Sequence, residues 1–356
     1  MKRWVWLLLL WVCGFQANGQ ACLAVADSIR REFRIPELGY AVVSSDSIIE
    51  MQVLGEKKAG SGRVANLNDR FRIGSNTKAI TGFIAAQMVK RGQLKWDTKF
   101  FDLFPEMKAG SRKEYYNITL LQALSFRTKL PKYTYTNAVP VKSQFHGNDE
   151  EQRMQFAKWM ISQLPQKTKD TMGYTNLGYL VAEFMMEKAS GKSYKELVKE
   201  LNGLLGTNFG FGRPSAVDTL QTYGHDSLLR PEDGKYDYKL EWLLAAGNIN
   251  ATLPDYVKFI QEQLKGLQGK SKFFTKEEYN FLHFGLPVFS VGWFWDKDDD
   301  GHIFSHNTGN PGTFLTSVYV YRDIDRVYIL FSNVQSTLAE KGLDNLFDQL
   351  FDKYQK

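Results

Sequence analysis

Ser75 and Lys78 lie three residues apart in Ile73-Gly74-Ser75-Asn76-Thr77-Lys78, and a helical pattern of Ile80, Phe83, Ile84 and Met88 follows at once. Residues at this spacing share a helix face, so a hydroxyl and an amine come within reach of each other. A serine hydroxyl is a weak nucleophile and needs a neighbouring base. A lysine desolvated in a cleft can lose enough proton affinity to serve. The start of a helix also favours negative charge developing beside it. The chemistry on offer is attack on a carbonyl. Alone the motif is weak, because Ser-x-x-Lys also describes a helix N-cap followed by a solvated lysine.

Two further stretches hold complementary groups. Gly173-Tyr174-Thr175-Asn176-Leu177-Gly178-Tyr179 opens another helical pattern. A phenol beside a cationic lysine is pushed toward phenolate and can relay protons. The Asn176 amide can bond both the lysine and a substrate amide. Ser305-His306-Asn307-Thr308-Gly309-Asn310-Pro311-Gly312 leads into the β-rich run Thr313 to Tyr321. An imidazole at His306 can steer a substrate carboxylate or assist proton transfer. A glycine N–H on a strand edge, paired with that of Ser75, would make an oxyanion hole. Singly these read as a turn with an N-cap and a Gly/Pro-rich hairpin turn. Their joint occurrence, each at an element boundary, gives them weight.

The elements that must position these groups follow from pattern. Leu23 to Phe33 reads as a helix. Gly39 to Ser44 and Ile48 to Val53 read as a hairpin turned at Ser45-Asp46-Ser47. Near the far end Val288 to Trp295, Thr313 to Tyr321 and Arg326 to Asn333 are β-rich. Ser336 to Tyr354 is then helical, with Leu338, Leu343, Leu346, Phe347, Leu350 and Phe351 on one face. Between the ends helical spacing prevails, including Leu177, Leu180, Val181 and Phe184, and a helix start at Thr252-x-x-Asp255. The expected architecture is α/β (α+β). An antiparallel sheet is built from both chain ends, about 23–60 and 286–356, and flanked by terminal helices. A helical subdomain, about 61–285, is inserted. The cleft should lie at the seam, and Lys129 to Gln152 reads as a surface excursion.

In combination these motifs resemble the serine β-lactamase and penicillin-binding protein superfamily, in its class C-like branch of D-Ala-D-Ala carboxypeptidases, D-amino-acid peptidases and esterases. Phe71 to Lys78, with Leu94-Lys95-Trp96-Asp97 and Phe101 to Glu106, is similar to the nucleophile helix and the loop after it. Tyr174-Thr175-Asn176 is similar to the Tyr-x-Asn element, and His306-Asn307-Thr308 to the His-x-Gly variant of the Lys-Thr-Gly strand. The resemblance runs from about Leu23 to the C-terminus. It implies that Ser75 is the acylated nucleophile and that Lys78 and Tyr174 share base and acid duty. It implies that Asn176, His306 and Thr308 meet substrate, and that the N–H groups of Ser75 and Gly309 hold the oxyanion. The implied substrates are D-amino-acid peptides, small esters or β-lactams, with cell-wall fragments as partners and no cofactor. A catalytically silent binder of wall peptides on the same fold is the alternative. Three departures are visible. Thr308 stands where glycine is usual, Ser125-Phe126-Arg127-Thr128-Lys129 replaces a His-Thr-Ser-Gly-like turn, and the strand cation is a histidine that is often neutral at pH 7.

Composition sets the bounds. The 356 residues are 43% apolar and 24% charged, which excludes a disordered or collagen-like chain. Lys2 and Arg3 precede twelve apolar residues from Trp4 to Phe15, too few for the ~20 of a membrane span. Residues 1–19 therefore read as a signal peptide cut before Gln20, with 20–356 the mature, exported body. Lipid attachment at Cys22 is the competing reading, and no later segment reads as transmembrane. Loss of Lys2 and Arg3 lowers the net charge from +6 to +4. That excess is dispersed, and no basic-aromatic motif points to nucleic acid. With at most one cysteine left, no disulfide framework exists. Asp296-Lys297-Asp298-Asp299-Asp300-Gly301 matches half of a calcium loop but has Asn307 at the twelfth position. An acidic hairpin turn fits it better; His302 and His306 lie four apart, but in a strand-turn context, and no His-Glu-x-x-His motif occurs.

Overall fold

The structure, a computed structural model, describes residues 22–167, 172–234 and 238–355. The leader and its cleavage site lie outside the described residues. A helix over 22–32 is followed by β1 (Glu37–Val43) and β2 (Ile48–Gly55). Three short strands, β3 (Arg70–Arg72), β4 (Gly210–Phe211) and β5 (Ile249–Thr252), form a small sheet in the order β3-β5-β4. β6 (Phe294–Lys297), β7 (Ile303–Gly309), β8 (Leu315–Tyr321) and β9 (Arg326–Ser332) precede the last helix, Thr337–Tyr354.

The main sheet has the order β2-β1-β9-β8-β7-β6, and every neighbouring pair is antiparallel. Strand alternation sorts its side chains into two cores. Leu38, Tyr40, Val42, Tyr328 and Leu330 meet Ala26, Ile29, Leu343, Leu346 and Leu350 of the terminal helices. Ala41, Val43, Ile329 and Phe331 face the helical body, with Phe71, Phe83, Tyr256 and Phe259. The expected antiparallel sheet of both chain ends is thus observed, with a terminal helix from each end on its outer face.

Capping sets several helix starts where the sequence places them. Thr252 accepts from Asp255 N–H and Ser336 from Ala339 N–H. Three local expectations change. Of Val288 to Trp295, only the last two residues enter a strand, β6. Val288 and Gly292 take positive φ, and Arg127 donates to the Pro287 and Phe289 carbonyls, which holds this stretch as a loop. The His306 motif forms a strand of its own, β7, instead of leading into β8. The stretch after Lys129 is no simple excursion, because Leu130, Tyr133 and Phe145 are buried before the helix Asp149–Ser162 begins.

Candidate active site

Gly74–Asn76 is a single 3-10 turn that runs into the helix Thr77–Lys90. Gly74 takes φ +51, and a Cβ there would sit 2.6 Å from the Asn310 nitrogen. Only glycine accepts both the left-handed backbone and that contact. Opposite it, a Cβ on Gly309 would sit 1.9 Å from the Ile73 carbonyl oxygen. The two glycines let the nucleophile turn and the end of β7 touch backbone to backbone.

The three reactive groups of the sequence meet here. Ser75 Oγ lies 2.8 Å from the Tyr174 hydroxyl, and Lys78 Nζ donates to Ser75 Oγ at 3.0 Å. Lys78 also donates to the Ala246 carbonyl at 2.7 Å. Burial pulls the Lys78 ammonium below its ordinary range, with Tyr174 opposing. Burial works to raise the Tyr174 phenol, but the Lys78 charge and hydrogen bonds from Ser75 and Lys78 outweigh it and the net direction is down. An amine that releases its proton more easily and a phenol that ionises more easily are what activation of a serine requires.

Tyr174 is held by its neighbours on both sides. Gly173 N–H bonds Phe126 O, Thr175 Oγ1 bonds Pro131 O, and Asn176 N–H bonds Tyr133 O. Phe126, at φ +60, lays its ring 4.6 Å from that of Tyr174 and stacks on Phe289 at 4.3 Å. Arg127 fixes this turn through the Ser125, Pro287 and Phe289 carbonyls. The unusual Arg127-Thr128-Lys129 turn therefore braces the phenol from behind.

A cleft of about 290 Å³ opens over Ser75 and Tyr174, with Asn176, Thr308, Asn310 and Tyr135 in its walls. Asn176 stands at the N-cap of the helix Leu177–Ser190, and its Oδ1 has no hydrogen-bond partner among the described residues. A buried acceptor left open at a cleft wall suits a substrate N–H. Along β7, Thr308 is exposed to the cleft, whereas Asn307 is buried and donates to Gly292 O. Tyr135 donates to Asn310 Oδ1 at 3.2 Å, and so does Gly312 N–H at 2.9 Å.

His306 is not among the residues that line the cleft. Its ring stacks with Phe294 and Tyr319 at 5.7 and 6.2 Å and touches Phe304 at 5.5 Å. Burial lowers its pKa, so the imidazole is neutral at pH 7. The Asp296 to Gly301 stretch ends β6 and turns into β7, where Asp298 accepts from the backbone and ring of His302.

Four contributors escape sequence reasoning. Ala246 serves through a carbonyl, which no side-chain type announces. Phe126 and Tyr135 sit in loops without a periodic pattern. Asn310 was within the quoted motif, but only its place in the cleft wall, accepting from Tyr135 and Gly312, singles it out.

The profile of the Beta-lactamase family matches residues 24–353. Protein flp of Staphylococcus aureus (strain N315) is 21% identical over 325 residues, and the match covers 89% of this chain and 63% of that protein. The chain thus spans under two thirds of the length of these curated relatives. Among solved structures, the octameric penicillin-binding protein homologue from Pyrococcus abyssi superimposes with a TM-score of 0.74 at 17% identity, over 92% of this chain and 77% of that one. The class C beta-lactamase from Rhodobacter sphaeroides gives 0.72 at 16%, over 93% and 99%. The D-amino acid amidase from Ochrobactrum anthropi gives 0.73 at 16%, over 94% and 99%. A profile matched over nearly the whole described chain, on a fold shared with these proteins, places the chain in the Beta-lactamase family.

Proposed function

We propose that the protein is an exported serine hydrolase that cleaves amide or ester bonds through an acyl-enzyme. The observation that carries this reading is the Ser75 hydroxyl held 2.8 Å from the Tyr174 hydroxyl and 3.0 Å from Lys78 Nζ. In the proposed cycle Ser75 Oγ attacks the substrate carbonyl, and its proton passes to the Lys78/Tyr174 pair. The C–O bond to serine forms as the carbonyl oxygen becomes an oxyanion. That pair then protonates the leaving amine or alcohol, and water releases the acid by the same route in reverse. The oxyanion is assigned to the N–H of Ser75 and that of Gly309, where the end of β7 meets the nucleophile turn backbone to backbone.

Asn176 and Thr308 are assigned to substrate positioning. His306, neutral and stacked among rings, offers no cation for a carboxylate. A neutral ring holds a carboxylate less firmly than a lysine, which counts against efficient β-lactam hydrolysis. D-amino-acid peptides are the first substrates to test, given that one structural neighbour is a D-amino acid amidase. Export rests on the apolar leader. Among the described residues no helix is long and apolar enough to cross a membrane.

Treatment with a fluorophosphonate or a fluorescent penicillin, followed by mass spectrometry, tests the reading. Adducts confined to Ser75 and absent in Ser75→Ala support it. Folded protein that neither probe labels would leave the silent peptide binder as the better account.

A further inference from the structure

The acceptor that orients Lys78 is itself held by a buried ion pair on the far side of the helix Leu244–Gly247. Lys78 donates to the Ala246 carbonyl. The adjoining Ala245 has both of its backbone groups tied by side chains. Its N–H donates to Glu183 Oε2 at 3.1 Å, and its carbonyl accepts from the Thr81 hydroxyl at 2.7 Å. Thr81 in turn lies 2.7 Å from the Tyr194 hydroxyl. Glu183 is fully buried in the helix Leu177–Ser190 and is paired with Arg153 of the helix Asp149–Ser162. Arg153 also reaches Glu187 at 3.3 Å, and Glu187 accepts from Tyr194 N–H at 2.8 Å.

A one-turn helix has little stability of its own. Four residues such as Leu244–Gly247 cannot keep a carbonyl aimed at an ammonium without outside support. We propose that Glu183, held by Arg153 and assisted by Thr81, is a positioning residue that sets the protonation of Lys78 by fixing the Ala246 carbonyl. This adds to the hydrolase reading and rests on it for its consequence in catalysis. A hydrogen bond to the charged form favours that form. Loosening the turn therefore weakens the ammonium, and Lys78 loses its proton at lower pH.

The charged and titratable groups around this path are few. Tyr174 and Tyr179 face Lys78, with ring centres 5.2 and 5.3 Å from its nitrogen. Arg153, Glu187 and Tyr194 face Glu183. None of these changes in Glu183→Gln or Thr81→Val. The first removes the carboxylate that Arg153 holds, and the second removes only a hydroxyl.

The experiment is an NMR titration of Lys78 in protein labelled at lysine Cε, on wild type, Glu183→Gln and Thr81→Val, beside the pH profile of Ser75 labelling by a fluorophosphonate. The Lys78 resonance is assigned from Lys78→Arg. The proposal expects both variants to move the Lys78 titration toward acid, by roughly one pH unit for Glu183→Gln, and the rising limb of labelling to move with it. An unmoved titration, with labelling lowered equally at every pH, overturns the proposal and leaves Glu183 a structural residue. If Glu183→Gln does not fold, Thr81→Val gives the same readout. A Lys78 titration that shifts in a protein whose Ser75 is never labelled would sink the hydrolase reading and leave the positioning role standing.

Discussion

In the proposed hydrolase three side-chain tips carry the chemistry, and each is set by what surrounds it. Lys78 is buried and donates to Ser75 Oγ and Ala246 O, which orient its amine, while burial makes that amine easier to deprotonate. Tyr174 gains from the same proximity in the opposite sense, since a neighbouring cation favours phenolate. The acylation rate should therefore rise with pH and reach its plateau below the ordinary lysine range. The sign follows because the active form of the pair has lost one proton, and burial favours its loss from Lys78. Lys78→Met and Tyr174→Phe should each lower the pre-steady-state acylation rate about 10²- to 10⁴-fold, the range of a lost acid–base group. Stopped-flow ester cleavage with both variants measures this. These residue types and spacings were legible in the sequence because nucleophile and base are side chains with known chemistry. The Ala246 carbonyl was not, since every residue has one.

At the scale of elements, the site exists because the nucleophile turn and the end of β7 make backbone contact. Gly309→Ala puts a methyl group against the Ile73 carbonyl and forces the two apart. Overpacking of this kind costs about 1–3 kcal/mol. Because the displaced peptide is the assigned oxyanion donor, acylation should fall by a further ~10²-fold or more at saturating substrate. Thermal unfolding and single-turnover kinetics separate the two losses. His306 and Thr308 share one face of β7, but the Phe294 and Tyr319 rings occupy the His306 end of it. The sequence showed that a strand motif was present. Which of its residues reach the cleft depends on where β6 stops covering β7, and that depends on the Val288 to Trp293 loop, whose positive φ angles lie at residues the composition marks as β-rich.

At the scale of the whole molecule, the two chain ends meet in one sheet, and the cleft lies where its β7 end touches the inserted helices. Near-continuous β-rich runs at β1, β8 and β9, buried along almost their whole length, and the helical spacing at both chain ends made the sheet and its outer helices readable from sequence. The small sheet β3-β5-β4 was not, because strands of two to four residues carry too little pattern. One buried group couples this body to pH. His283 stacks on Trp293 at 4.4 Å and lies 2.6 Å from Ser305 Oγ, and burial lowers its pKa to about 3. An unfolded histidine takes its proton near pH 6.5, before the folded one does. The stabilising contribution is thus complete above about pH 6.5 and is lost as pH falls toward 3, on the order of 4 kcal/mol across the window. His283→Phe should be less stable at pH 7 yet lose less stability between pH 6.5 and 4. Denaturant midpoints across that range check the slope, and parallel curves for the two proteins would contradict it.

The most direct measurement is to trap the acyl-enzyme from a substrate. The protein is mixed with a p-nitrophenyl ester or a D-Ala-D-Ala peptide, quenched in acid within milliseconds to seconds, and digested for mass spectrometry. An acyl group on the peptide that contains Ser75, formed at the rate of the product burst and missing from Ser75→Ala, is the result expected. Turnover without any adduct on Ser75, or turnover undiminished in Ser75→Ala, would contradict the account at its centre.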